Sequence, residues 1–123
     1  MNLLLDTHIA IWFATNSPKL SRNALDRMDR ASSLHISAAS IWEMAVKSRK
    51  LKIDVAQFAN RFAKAGILSL PITWEHTIRF DEIATAHPDP FDRLLLAQAI
   101  CEPMHLLTSD ASLARYSDNV IEV

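Results

Sequence analysis

Four acids in this chain stand where an apolar segment stops or a helix starts: Asp6 after "NLLL", Glu43 in "SIWE", Asp92 in "DPFD", and Asp110 closing "HLLTSD". Carboxylates gathered at one place repel, and each raises its neighbours' pKa unless a cation neutralises the group. With a single cysteine, Cys101, and no histidine required, an all-oxygen donor set suits Mg²⁺ or Mn²⁺ rather than zinc. Such ions keep several waters and ride on carboxylates plus substrate phosphates, so the chemistry on offer is phosphodiester hydrolysis. Each acid also has a plainer role. Asp6 and Asp110 are natural helix caps, "SIWE" fits a capping box in which Glu43 reaches back to Ser40, and Asp92 suits the positive end of a helix that Asp89 would cap.

Whether the four meet depends on the elements that carry them. "NLLLD" (2–6), "LHIS" (34–37), "ILSLP" (67–71), "HLLTSD" (105–110) and "VIEV" (120–123) read as strands. Between them lie helical patterns: "THIAIWFA", a polar-faced helix starting on Ser21, "SIWEMAVKSRKL", "DVAQFANRFAKAG" ending on Gly66, "WEHTIRFDEIATA", "DPFDRLLLAQAICE" with Pro90 in its first turn, and "ASLARY". Strands that are apolar throughout rather than alternating, interleaved with helices, predict an α/β fold: a mostly parallel sheet of four to five strands with helices on both faces. In such sheets ligands bind outside the carboxyl ends of the strands. Asp6 and Asp110 end strands there, and the helices carrying Glu43 and Asp92 have an end at the same rim. A helix N-terminus also favours the ionised form of Asp6, so cap and ligand are compatible roles.

Composition removes several alternatives. The 123 residues, 50% hydrophobic and 22% charged, read as one domain over 1–123 with a real core. Gly66 is the only glycine, which excludes a P-loop or a dinucleotide fingerprint. The formal net charge of -1 gives no general attraction to polyanions, so such a ligand needs a local site. The N-terminus lacks a basic leader and "IAIWFA" is too short to span a bilayer, which predicts a cytoplasmic protein without membrane association. An aspartate-nucleophile phosphatase would want a second acid two residues after Asp6, where His8 stands.

"LLLDTH", "SIWEMAVK", "DPFDRLLLAQA" and "LLTSD" resemble, in that order and nearly end to end, the four acidic motifs of PIN-domain ribonucleases, most nearly the VapC-like toxins of toxin–antitoxin pairs. The resemblance implies a PIN-like fold and a metal-dependent endoribonuclease using Mg²⁺ or Mn²⁺. It implies that Asp6, Glu43, Asp92 and Asp110 form the acidic cluster, with Asp6 and Asp92 the most direct ligands and Asp110 acting through water. It further implies products bearing a 5′-phosphate and a 3′-hydroxyl, a homodimer, and a VapB-like antitoxin whose C-terminal segment lies in an apolar groove and blocks the site. Thr108 matches the hydroxyl residue before the last acid, orienting it. His8 and His87 match histidines common in the subgroup, and Arg93 matches a "DR" pair.

The dense basic stretch "KSRKLK" (47–52) offers Lys47, Arg49 and Lys50, with Arg93 elsewhere, as RNA contacts; its plainer role is a solvated helix end in which Lys47 pairs with Glu43 one turn earlier. Relatives of this type often carry a glycine in that turn. Trp12, Phe13, Trp42 and Met44 are expected to be mostly core. The alternative to a nuclease is a catalytically inactive PIN fold serving as an RNA- or protein-binding module.

Overall fold

The computed structural model describes residues 1–83 and 88–123. Its frame is a five-stranded sheet of β1 (Asn2–Leu5), β2 (Ser33–Ser37), β3 (Leu68–Leu70), β4 (His105–Thr108) and β5 (Val120–Glu122). The strand order is β3-β2-β1-β4-β5, and every neighbouring pair runs parallel. In register, Leu4 faces His35 on one side and Leu106 on the other. The helices are α1 (Thr7–Ala14), α2 (Arg22–Arg30), α3 (Ala38–Val46), α4 (Ser48–Leu51), α5 (Val55–Lys64), α6 (Trp74–Glu82), α7 (Pro90–Cys101) and α8 (Ala111–Ala114).

The leucine run of β1 explains why both faces are covered. Successive strand residues point to opposite faces, so Leu3 and Leu5 enter one core with Ile9, Met28, Ile36, Met44, Phe58, Phe62 and Leu107. Leu4 enters the other with Leu70, Leu95, Ala99, Leu106 and Leu113. Each fully buried leucine stabilises the fold by about 1.5–3 kcal/mol relative to exposure. A strand apolar on both faces is therefore stable only as the middle of a layered sandwich.

Local signals behave largely as the sequence predicts. Ser21 caps α2, Gly66 follows the end of α5 at φ +80°, and Asp89 caps α7 ahead of Pro90. Three boundaries differ. The helix expected to start at Ser40 starts earlier, because Ser37 Oγ accepts the Ala39 N–H at 2.9 Å and caps α3 there; Glu43 thus lies in the second turn and takes no part in a capping box. That helix also breaks at Lys47 (φ -99°), with α4 following and closing on Lys52 at φ +55°, a left-handed turn made without glycine. Finally, α6 ends at Glu82, where the Ile83 backbone turns extended.

Candidate active site

Three of the four acids are placed by helix caps or helix starts at the carboxyl rim. Asp6 follows β1 and caps α1, its Oδ1 accepting the Thr7 N–H at 2.7 Å. Asp110 follows β4 and caps α8, accepting Ser112 N–H at 2.9 Å and Ser112 Oγ–H at 2.6 Å. Asp92 sits in the first turn of α7. Glu43 comes from α3, and its Oε2 accepts from Lys47 Nζ at 2.6 Å, the one-turn pair the sequence suggests.

The electrostatics tie these positions into one site. The Asp92 carboxyl is pushed up from 3.8 to about 8, first by burial and then by the charges of Asp6, Asp89, Glu43 and Asp110. All four acids of the sequence motif, with Asp89 as a fifth, are thus close enough to repel. Asp6 is 2% exposed, and burial pushes its carboxyl up; the Thr108 hydroxyl, His8 and the Thr7 N–H pull it down without cancelling that cost, while Glu43 adds to it. The helix N-terminus does not offset this on its own, because dehydration outweighs the single capping N–H. The Glu43 carboxylate, by accepting a hydrogen bond, holds the Lys47 ammonium above its usual value.

Thr108 serves the first acid as well as the last. Its hydroxyl donates to Asp6 Oδ2 at 2.7 Å and accepts the Asp110 N–H at 3.0 Å, so one buried side chain ties the first acid to the backbone of the last. Two further links escape sequence reasoning. Thr7 Oγ1 donates to Ser40 Oγ at 2.9 Å, joining the start of α1 to α3. Ser37 Oγ hydrogen-bonds Gln98 Oε1, joining α3 to α7, and Gln98 Nε2 continues to Pro71 O and to His76 Nδ1. His76 Nε2 meets Glu102 at 2.6 Å. The one usable signal for these is a polar residue at a buried helical position, as in Gln98 between Ala97 and Ala99.

The basic residues divide. Lys47 reaches the rim, whereas Arg49 and Lys50 lie exposed on α4. The Arg93 guanidinium stacks over the Phe80 ring at 4.2 Å, turned toward α6. His8 is exposed beside Asp6, with its ring 6.0 Å from Trp12. His87 lies outside the described residues. Among the large apolar residues expected in the core, Trp12 and Phe13 are half-buried and Met44 is fully buried, but Trp42 is 58% exposed.

The donor set fits a hard divalent cation. It is all oxygen, its carboxylates repel, and Glu43 Oε1 is buried without a hydrogen-bond partner among the described residues. Glu43 also borders a small cavity of about 20 Å³ beside Thr7, His8 and Lys47, room for one water. Among the described residues no three such side chains enclose an ion as they stand. Their repulsion opposes closer approach until positive charge is supplied.

A parallel five-stranded α/β sheet with acids gathered at its carboxyl rim defines the class of protein. The PIN domain family model matches residues 3–119, and the chain belongs to that family. Ribonuclease VapC22 of Mycobacterium tuberculosis is 29% identical over 116 residues, covering 90% of this chain and 88% of that protein. The fold is also that of VapBC2 from Rickettsia felis, solved bound to a promoter DNA fragment, at a TM-score of 0.74 and 20% identity over 100% of this chain and 98% of that one. A toxin–antitoxin complex from Klebsiella pneumoniae superposes at a TM-score of 0.70 and 20% identity, covering 98% and 99% of the two chains. Among the described residues no helix is long and apolar enough to cross a membrane.

Proposed function

We propose that this chain is a metal-dependent endoribonuclease and the toxin of a VapBC-type pair, cutting RNA at a site of Asp6, Glu43, Asp92 and Asp110. The observation that carries this is the meeting of Asp6, Glu43, Asp92 and Asp110 at one rim, where burial first and then the neighbouring charges push the Asp92 carboxyl up; a binding module has no use for that repulsion and a cation site requires it. Family membership and the likeness to a named ribonuclease support the reaction class. Solved toxin–antitoxin complexes of this fold support a VapB-like antitoxin as partner. The same reading includes a homodimer acting in the cytoplasm.

Bound Mg²⁺ or Mn²⁺ would acidify the attacking water and neutralise charge developing on the phosphate. The residues of the chain do the remaining work. Asp6 and Asp92 present oxygens at the rim, with Thr108 fixing the orientation of Asp6. Glu43 keeps one buried oxygen without a hydrogen-bond partner among the described residues, its other oxygen being anchored by Lys47. Asp110 is held in place by its Ser112 partner. Lys47, Arg49 and Lys50 supply positive charge near an acidic rim, which an RNA strand needs on approach.

The test is cleavage of total RNA by protein freed of antitoxin, with Mg²⁺, with Mn²⁺ and with EDTA, beside Asp6→Asn and Asp92→Asn. Cuts should require metal and disappear in both variants. Folded variants that match wild type under every condition would instead leave the acids as helix caps and favour the inactive binding module.

A further inference from the structure

Beside the acidic rim lies an apolar hollow that phosphodiester chemistry does not use. Trp42, Thr77, Phe80, Pro90, Phe91 and Leu94 line a cavity of about 230 Å³. Its walls are set by the same turns of helix that place the acids. Trp42 precedes Glu43 on α3, and Phe91 precedes Asp92 on α7. The two rings meet edge to face, with centroids 4.9 Å apart and planes at 65°, leaving Trp42 58% exposed. Cations frame the aromatic walls. Lys47 Nζ lies 5.8 Å from the Phe91 centroid, and the Arg93 guanidinium lies 4.2 Å from that of Phe80. Arg93 Nε is buried and has no hydrogen-bond partner among the described residues.

We infer that this hollow is a nucleobase subsite, in which Trp42 and Phe91 stack the unpaired base next to the scissile phosphate of a single-stranded RNA. The size selects the occupant first, since the cavity falls below the roughly 300–1,000 Å³ of sites for larger organic ligands and suits a single flat ring. Charge selects it second. An apolar side chain from a protein partner gains nothing from the Arg93 guanidinium, whereas a polyanionic strand does; Lys47 is already paired with Glu43. Position selects it third, because Lys47, which is bonded to Glu43, lies 5.8 Å from the Phe91 ring, so a strand whose phosphate reaches the acids brings its adjoining base to this hollow. The apolar lining gives stacking with little hydrogen-bond readout, so the subsite favours a base over no base more than one base over another. The inference rests on the nuclease reading for the word scissile, and on the cavity alone for base binding.

The experiment uses the full chain in EDTA, where cleavage is absent, carrying Trp12→Phe and Trp74→Phe so that Trp42 is the only indole of the three. Hexauridylate is compared with a six-unit abasic ribose-phosphate strand of equal charge, following Trp42 fluorescence and, for Trp42→Ala in the wild-type background, anisotropy of labelled strands. Hexauridylate should quench Trp42 and bind roughly five- to a hundredfold more tightly than the abasic strand. Trp42→Ala should abolish that preference and Trp42→Phe should retain most of it, both with wild-type circular dichroism. No quenching, equal binding of the two strands, or a preference surviving Trp42→Ala would overturn the inference. So would quenching that follows protein concentration rather than RNA, which would mean that a second copy covers this face. Total-RNA cleavage is run in parallel: intact cleavage with equal binding refutes the subsite alone, while base-dependent quenching without cleavage upholds the base pocket and refutes the nuclease.

Discussion

Replacing Asp92 by asparagine should make the metal-free protein more stable, by an amount that grows with pH. In the folded chain the Asp92 carboxyl is held at about 8 instead of 3.8, by burial and by Asp6, Asp89, Glu43 and Asp110. The native state therefore keeps a proton that the unfolded chain gives up near pH 4. Below that pH both states are protonated and the group costs nothing. As pH rises from about 4 to about 8, stability falls, and above about 8 the whole cost is in place. Full enclosure would make the cost about 6 kcal/mol. Asp92 is only part-buried, and solvent at the open rim screens this to the order of 1–3 kcal/mol. For a domain of this size that is roughly 4–12 °C in Tm. The assay is thermal unfolding of wild type and Asp92→Asn in EDTA from pH 5 to pH 9. The variant should melt higher at pH 8.5, with the gap narrowing toward pH 5. Adding Mn²⁺ at pH 7.5 should then raise the wild-type Tm and leave the variant nearly unmoved. A gap independent of pH, or a wild type that is the more stable at pH 8.5 without metal, would refute the reasoning.

Further predictions follow from single contacts. Thr108→Val keeps the shape but removes both the donor to Asp6 Oδ2 and the acceptor for the Asp110 N–H, and should cost about 1–3 kcal/mol in urea unfolding and about 10–100-fold in Mn²⁺ affinity by calorimetry. Lys47→Met strands a Glu43 that is 3% exposed; since Lys47 is itself open to solvent, the loss should be about 1–2 kcal/mol in EDTA, and saturating Mn²⁺ should recover most of it if Glu43 is a ligand. Gln98→Leu breaks the bonds to Ser37, Pro71 and His76 and should cost about 2–4 kcal/mol, read from the urea midpoint, because the buried Ser37 and His76 each lose a partner. Metal titration of wild type in weak buffer at pH 7 should release about one proton per site, as the displaced Asp92 proton leaves, and a pH-stat trace without acid release would contradict the raised carboxyl.

Much of this molecule is legible along the chain because the deciding interactions are local or periodic. A strand such as "NLLLD", apolar on both faces, has no stable place except between two helical layers, so the parallel sheet follows from the pattern. Caps are equally local: Asp6, Ser21, Asp89 and Asp110 satisfy N–H groups one to three residues ahead, and their places in the sequence suffice to locate them. Since strand ends and helix starts share the carboxyl rim of a parallel sheet, the gathering of Asp6, Glu43, Asp92 and Asp110 is visible before any coordinate.

What the tertiary structure decided are contacts between residues far apart in sequence. Ser37 and Ser40 both precede plausible helical stretches, and local propensity does not choose between them; the choice follows from Ser37 being buried against Gln98 on α7. Thr108 lies beside Asp110 in the chain, yet its proton goes to Asp6 at the end of the neighbouring strand, since β1 pairs with β4. Trp42 has the composition of a core residue but faces outward, because helical phase turns its neighbours Glu43 and Met44 inward and, among the described residues, no other element covers that side completely. Hydrophobic pattern and capping act through spacing along one segment, so the sequence by itself determines the layers, the rim and the acids on it. Hydrogen-bond partners and exposure depend on which segments are brought face to face, and that is settled only once the sheet order has been formed.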